Sequence, residues 1–360
     1  MKNVLYMSGA TVNAGDFLIE KRAKALINRF APNVALTSLN RVKIDYSDRI
    51  DYLNSFDAIL FAGGPIYQPS IYPNAIPFVS NLNDITKPVF FIGGGAKSDI
   101  YRSVMSENTK AFFRLGNKKG VPLGCRDVLT YRFLKHQGFE NILVTGCPAW
   151  YSLQDIDNTK FSVHHNGDIK KICVSEPGRE DNVMFLKPLL KHLRGIYPNA
   201  EIHLVNHRET KVGVSALKNG LNSVGVEITD ISGSSEGFSI YDDCDLHVGF
   251  RVHAHIYNLS KRNLSILFNE DIRGCGVNHA LGLENINLTI ESYSKLKLFG
   301  NFYLMRMNRI NKTDVICRMF DDYIEFEEKR HYVEYLNAFK NMKDYYCVMG
   351  QHIKDIEQAI

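Results

Sequence analysis

The stretch that most restricts the fold of this 360-residue chain runs from Cys244 to Asn258. A short apolar run, Leu246-His247-Val248, turns at Gly249 and continues into helix-compatible residues as far as about Lys261. A strand, a glycine turn and a helix in that order leave free backbone N–H groups at the helix start, where the dipole also favours an anion. Arg251 and His253 fall in that first turn, so a small cationic pocket suited to a phosphate or carboxylate is expected there. A unit of this kind belongs to an α/β fold.

The N-terminus repeats the step. Residues 3–7 read as a strand, a Gly-bearing loop runs from Ser8 to Asp16, and a helical pattern follows from Phe17 to Phe30. Asp16 stands where a helix N-cap belongs. The loop has no GxGxxG pattern, so a dinucleotide fingerprint is absent. Further strands are expected at Val34–Leu39, Ala58–Phe61, Val89–Ile92 and Ile142–Thr145. Two of them end in glycine clusters, Gly63-Gly64 and Gly93-Gly94-Gly95-Ala96-Lys97-Ser98. Open α/β sheets bind ligands outside the carboxyl ends of their strands, and glycines there either make room for ligand or permit tight turns. Arg126 and Asp127 precede a helix at Val128–Gln137, placed either to pair locally or to hydrogen-bond sugar hydroxyls.

Residues 153–170 are polar, including Asn166, Gly167 and Asp168, and have the composition of a linker. Beyond them lie strands at Lys171–Ser175, Glu201–Val205, Val226–Thr229 and Leu264–Leu267, and a helix at Met184–Ile196. From Asp314 the tail reads as charged, Tyr-rich helices. The chain is too long for one ordinary core. The expected architecture is α/β, with two Rossmann-like domains facing a central cleft in a glycosyltransferase-B-like (GT-B-like) arrangement. The N-terminal domain spans residues 1–155 and the C-terminal domain residues 170–313, and the helices of residues 314–360 brace the N-terminal domain.

A formal net charge of +4 with no long basic run argues against a dedicated nucleic-acid binder. No window reaches the roughly 18 apolar residues of a membrane span, and the start lacks a signal-peptide cleavage site. Seven scattered cysteines without CxxC pairs fit reduced thiols in the cytoplasm better than disulfides or a zinc site.

In order along the chain, five motifs resemble those of the polysaccharide pyruvyl transferase family. They are Asn13-Ala14-Gly15-Asp16, Gly93-Gly94-Gly95, Arg126-Asp127, Gly146-Cys147-Pro148-Ala149, and Arg251-Val252-His253-Ala254 following Asp245. The chain departs from the family pattern at Cys147, where an Asp is usual, and in residues 269–283, which hold no Lys. The resemblance implies transfer of pyruvate from phosphoenolpyruvate onto two hydroxyls of a sugar or glycan precursor, giving a cyclic ketal. That chemistry calls for a general acid, or a donor to the departing phosphate, for which His253 is the expected group, and for a base, for which Asp16 is the best-placed carboxylate and Asp127 the second. Donor contacts are then expected at Arg251, Arg179, Gly249 and Ala254, and acceptor contacts at Asn13, Gly15, Gly94, Gly95, Arg126 and Asp127. His207 and Arg208 occupy a position similar to that of Arg179.

Phosphoenolpyruvate is the expected co-substrate, with no metal or other cofactor. The acceptor's carrier, lipid or nucleotide, stays open, as does the oligomeric state. A lipid-linked acceptor would bring transient contact with a membrane surface, for which the region around Phe302, Tyr303, Arg306 and Arg309 is the candidate. Two other readings compete: a GT-B glycosyltransferase whose nucleotide-sugar diphosphate is held by Arg251 and His253, and a non-catalytic glycan- or anion-binding relative. His247 reads as a packed neutral imidazole, His255 as structural and Asp245 as the anchor of a turn or helix end.

Overall fold

The computed structural model describes the whole chain except residues 42–48, 75, 77–80, 97–102, 162–168, 209–223, 289–292, 299–300 and 307–314, and except the side chains of 293–298 and 301–306. Lys97, Ser98, Asn166, Gly167, Asp168 and Arg309 therefore lie outside the described residues, as do the side chains of Phe302, Tyr303 and Arg306.

The first half is built on a parallel sheet of β1 (Lys2–Ser8), β2 (Val34–Asn40), β3 (Ala58–Ala62) and β4 (Val89–Ile92), ordered β2-β1-β3-β4. Along β1, Val4 and Tyr6 join one apolar cluster while Leu5 and Met7 join the other. That alternation is the signature of a strand buried on both faces. On the Leu5 side, Phe61, Phe91, Phe112 and Phe113 interlock with ring centroids 5.2 to 5.6 Å apart. Two short strands, β5 (Leu123–Cys125) and β6 (Ile142–Val144), pair in parallel and join the sheet through a bridge between Gly94 and Cys125.

The helices of this half are α1 (Ala14–Phe30), α2 (Ile50–Asn54), α3 (Glu107–Arg114) and α4 (Val128–His136). α1 begins at Ala14 rather than Phe17 because Asn13, not Asp16, is its cap: the Asn13 side chain accepts from the Gly15 N–H at 3.3 Å. Asp16 instead sits inside the first turn, where a negative charge suits the helix dipole.

The second half carries six parallel strands: β7 (Lys171–Ser175), β8 (Glu201–Asn206), β9 (Val226–Asp230), β10 (Leu246–Gly249), β11 (Leu264–Asn269) and β12 (Ile286–Asn287). Their order is β12-β11-β10-β7-β8-β9. Around them lie α5 (Leu186–Ile196), α6 (Val252–Ser260) and α7 (Ile272–Leu281), followed by an antiparallel hairpin of β13 (Tyr293–Leu298) and β14 (Asn301–Arg306). Of the closing helices, α8 (Val315–Lys329) packs on α5, and α9 (Val333–Ala359) packs on α1, β4 and α7. The molecule is thus an α/β protein of two Rossmann-like sheets in a GT-B-like fold.

The two halves are stitched together near their strand ends. The Ala14 N–H donates to the His207 carbonyl at 2.8 Å, and the Gly233 N–H to the Val12 carbonyl at 2.7 Å. Buried Arg22 of α1 donates to the Ala149 carbonyl and to Ser260 Oγ at the end of α6. Just past α6, Arg262 adopts a left-handed φ of 67° and is buried. Its guanidinium donates to the carbonyls of Ile156 and Asn158, at 3.1 and 2.9 Å, and to that of Leu259 at 3.2 Å. It also lies 4.9 Å from the Phe339 ring of α9. All seven cysteines carry free thiols. Among the described residues no helix is long and apolar enough to cross a membrane.

Candidate active site

Between the two sets of strand ends is a cavity of about 530 Å³, counting its open mouth. Asn13 and Arg126 line it from the first half; His207, Phe250, Arg251, Val252, His253, Glu270, Asp271 and Arg273 line it from the second. Three guanidinium groups enter it, and each is braced by a carboxylate. Arg126 Nε donates to Asp127 Oδ2 at 2.8 Å, and Asp127 Oδ1 caps α4 by accepting from the Thr130 N–H at 2.7 Å. Arg251, the N-cap residue of α6, donates through Nη2 to Glu176 Oε1 at 2.5 Å. Arg273, in the first turn of α7, makes a two-armed bond to Asp271, with Nε at 3.0 Å and Nη2 at 2.6 Å. Bracing of this kind fixes a guanidinium's direction while leaving some of its five donors for a ligand.

The glycines do something other than admit ligand. A Cβ on Gly15 would collide with the His253 imidazole, so the first turn of α1 is open because the second half's histidine rests there. A Cβ on Gly95 would stand 2.5 Å from Arg126 Cζ and Nη1, and one on Gly249 would collide with Ser175. Gly94 faces Ile66 and Tyr67 in the same manner. The Gly94 and Gly95 N–H groups are already used, on the carbonyls of Gly124 and Gly64. Gly15, Gly94, Gly95 and Gly249 are therefore seats for neighbouring side chains.

His253 is the group these seats present. Burial, then the charges of Arg273, Arg126 and Arg251, hold its pKa down at about 3. In the free site it is neutral, so it is not yet an acid. Asp16 lies at the rim beside Asn13, whose Nδ2 donates to it at 3.3 Å. Burial raises the Asp16 pKa, opposed by that bond and by the charges of Arg41 and Arg273.

Beneath Arg251 the site is acidic. Glu176 is fully buried; burial raises its pKa to about 7 against the pull of Arg251. Its Oε1 also accepts from the His207 N–H at 3.0 Å, while its Oε2 and Arg251 Nε are both buried without a partner among the described residues. Glu270 accepts from the N–H groups of Gly178 and Arg179, at 2.7 and 3.1 Å, and from Asn182 at 2.8 Å.

Several expectations are corrected by this geometry. Arg251 does not offer a free fork, because one arm is committed to Glu176. Arg179 is exposed, is not among the cavity-lining residues, and contributes its backbone N–H to Glu270. Ala254 is fully buried behind the first turn of α6. Asp127 is buried with both oxygens engaged, which makes it the brace of Arg126 and not an acceptor contact or base. Arg208 is exposed, whereas His207 is buried against the cavity, with Nε2 2.7 Å from the Tyr241 hydroxyl. Cys147 is buried in the field of Arg126, and burial raises its thiol pKa to about 11, so it carries no charge in the Asp's place. His247 and His255 share Ser265 Oγ at 2.7 Å each, deep in the core, and Asp245 anchors the start of β7 through the N–H groups of Lys170 and Lys171.

Sequence reasoning missed Arg273 and its partner Asp271. A signal for them existed. An Asp N-cap followed two residues later by Arg sets a cation against the positive end of a helix, which is unfavourable unless an anion joins it. Glu176 was hidden because its partner, Arg251, lies 75 residues away.

A family profile described as polysaccharide pyruvyl transferase matches residues 13–257, a span holding Asn13, Arg126, Arg251 and His253 and ending before Arg273. No curated protein sequence matches the chain significantly. Among solved structures, the fold is similar to a UDP-GlcNAc 2-epimerase from Neisseria meningitidis bound to UDP-GlcNAc, with a TM-score of 0.59 at 14% identity over 99% of both chains. It is also similar to S. aureus MnaA in a co-structure with UDP, with a TM-score of 0.50 at 13% identity over 79% of this chain and 84% of that one. At such identities the likeness concerns the fold alone.

Proposed function

Because the chain belongs to the polysaccharide pyruvyl transferase family, we propose that it moves the pyruvate unit of phosphoenolpyruvate onto two hydroxyls of a sugar in a glycan or glycan precursor. The observation that carries this reading is the convergence of Arg126, Arg273 and Arg251 around His253, with the starts of α6 and α7 on the same cavity. Phosphoenolpyruvate bears a carboxylate and a phosphate, and Arg126, expected from the sequence on the acceptor side, joins Arg273 from the opposite half to hold them. Arg251, half committed to Glu176, supports the site from below.

The charges of Arg273, Arg126 and Arg251 add to burial in keeping His253 neutral, and a bound anionic donor offsets that added part, moving the imidazole toward its protonated form. A first sugar hydroxyl then attacks C2 of the enolpyruvyl group, losing its proton to Asp16, while C3 takes a proton from His253. The second hydroxyl displaces phosphate to close the ketal, its proton passing to His253, which has just given one up to C3. An Asp with its pKa raised by burial is a better base than an exposed one. The chemistry asks for no cofactor beyond phosphoenolpyruvate. If the acceptor is lipid-linked, the protein works at the inner face of a membrane without entering it.

Ligand-induced thermal stabilisation tests the reading, since a ligand that binds only the folded state raises its stability. Phosphoenolpyruvate should stabilise the wild type, and Arg273→Ala should lose that effect. Stabilisation by nucleotide sugars but not by phosphoenolpyruvate would replace pyruvyl transfer with glycosyl transfer.

A further inference from the structure

The first-sheet side of the cleft holds a fourth guanidinium, which the reaction above leaves unused. Arg41 follows β2, and its backbone N–H donates to the Ser8 carbonyl at 2.8 Å, which brings the side chain over the end of β1. A Cβ on Gly9 would stand 2.6 Å from Arg41 Nη2 and 2.9 Å from Cζ, and one on Gly64 would stand 3.5 Å from Nη2. These glycines follow β1 and β3, so Arg41 lies across the carboxyl ends of three adjacent strands. That is where open α/β sheets take their ligands. Gly9 seats Arg41 as Gly95 seats Arg126.

The contrast with the other three arginines is in the partners. Arg126, Arg251 and Arg273 each have a carboxylate brace, whereas among the described residues the Arg41 guanidinium has no hydrogen-bond acceptor and no ion-pair partner. Glu20, on the facing turn of α1, is occupied by Ser8 and Lys24. Burial lowers the Arg41 pKa, with Tyr6 and Asp16 pulling the other way. Arg41 is half-buried, and a ligand's anionic oxygens would supply the acceptors that the described residues do not. Asp16 feels the charges of both Arg41 and Arg273.

We propose that Arg41 anchors the acceptor by an anionic oxygen group, a sugar carboxylate or a sugar phosphate, and so selects acidic over neutral acceptors while presenting their hydroxyls to Asp16. A guanidinium fork suits either group. The proposal rests on Asp16 as the base of pyruvyl transfer.

Calorimetric titration with glucuronic acid, glucose 1-phosphate and glucose, with phosphoenolpyruvate saturating, tests it. The wild type should bind one of the two anionic sugars roughly ten- to hundredfold tighter than glucose, the worth of one charge-assisted hydrogen bond. The preferred anion tells carboxylate from phosphate. Arg41→Gln should bring the ratio close to one, Arg41→Lys should keep part of it, and Arg126→Gln should leave it standing. Gly9→Ala, which pushes the guanidinium aside without removing its charge, should also lower the ratio, and it serves if Arg41→Gln does not fold. A wild type without anionic preference, or an Arg41→Gln variant that keeps it, overturns the proposal. Failure of phosphoenolpyruvate to bind would instead sink pyruvyl transfer, while the same ratio measured without it still tests Arg41.

Discussion

The two halves of the molecule meet the cleft with different materials. The second sheet contributes charge: Arg251 and His253 at the start of α6, and Arg273 at the start of α7. The first sheet contributes chiefly clearance, through Gly9, Gly15 and Gly95, and beside it Arg126 and Asp16. Neither half makes the site alone, because Gly15 of one seats His253 of the other. A glycine at a strand end is thus ambiguous until its neighbour is known: it can approach a ligand, or it can make way for the side chain that does.

The sharpest way to break the comparison is to strip charge from the second half. Arg273→Ala should lower kcat/KM by about 10²–10³-fold, the usual loss for one preorganised electrostatic contact. Circular dichroism should show the fold intact, and near-normal turnover would remove Arg273 from the donor site. Removing clearance from the first half should cost somewhat less. Gly15→Ala displaces His253, and a misplacement of about 1 Å lowers rates by roughly a hundredfold. In a His253→Ala background the same change should do little more, since the two act as one unit. Additive losses would show that Gly15 has a role of its own.

Two titratable groups of the second half also set a pH dependence of stability. Glu176 has its pKa raised to about 7 from an ordinary 4.5, so its contribution is complete below 4.5 and is lost as pH rises through 7. His253 has its pKa lowered to about 3 from 6.5, so its contribution is present above 6.5 and is lost as pH falls toward 3. In denaturant unfolding, Glu176→Gln should flatten the loss between pH 4.5 and 7, and His253→Gln should flatten the acid-side fall. A pH profile unchanged by either substitution would contradict those environments. The smallest effect is expected far from the cleft. Gly120 has a φ of 74° with open space at its Cβ, so Gly120→Ala should cost about 1 kcal/mol of stability with no change in turnover.

Most of the fold was legible because strand and helix periods are local. The strands from Val34 to Asn206 that carry long apolar runs fall within a residue or two of their expected limits. β5 was not, being only three residues, Leu123–Cys125, whose strand character comes from pairing with β6. The site was legible where one short segment carries it, as at Arg251 and His253. It was illegible where meaning lies in a distant partner: Glu176 beneath Arg251, Asp127 closed on Arg126 and Thr130, and Gly15 under His253. Arg179 misled because its place in the chain, just after β7, matches a ligand position, yet its N–H serves Glu270 and it does not line the cavity.

α6 is held at both ends by parts of the chain that are remote in sequence. Its first turn carries His253 against α1, and just beyond its last turn Arg262 grips the connector at Ile156 and Asn158. At nine residues the helix is about 14 Å long. One short helix thus spans from the segment joining the two halves to the imidazole that rests on α1, so both fixed points of α6 lie outside its own sheet.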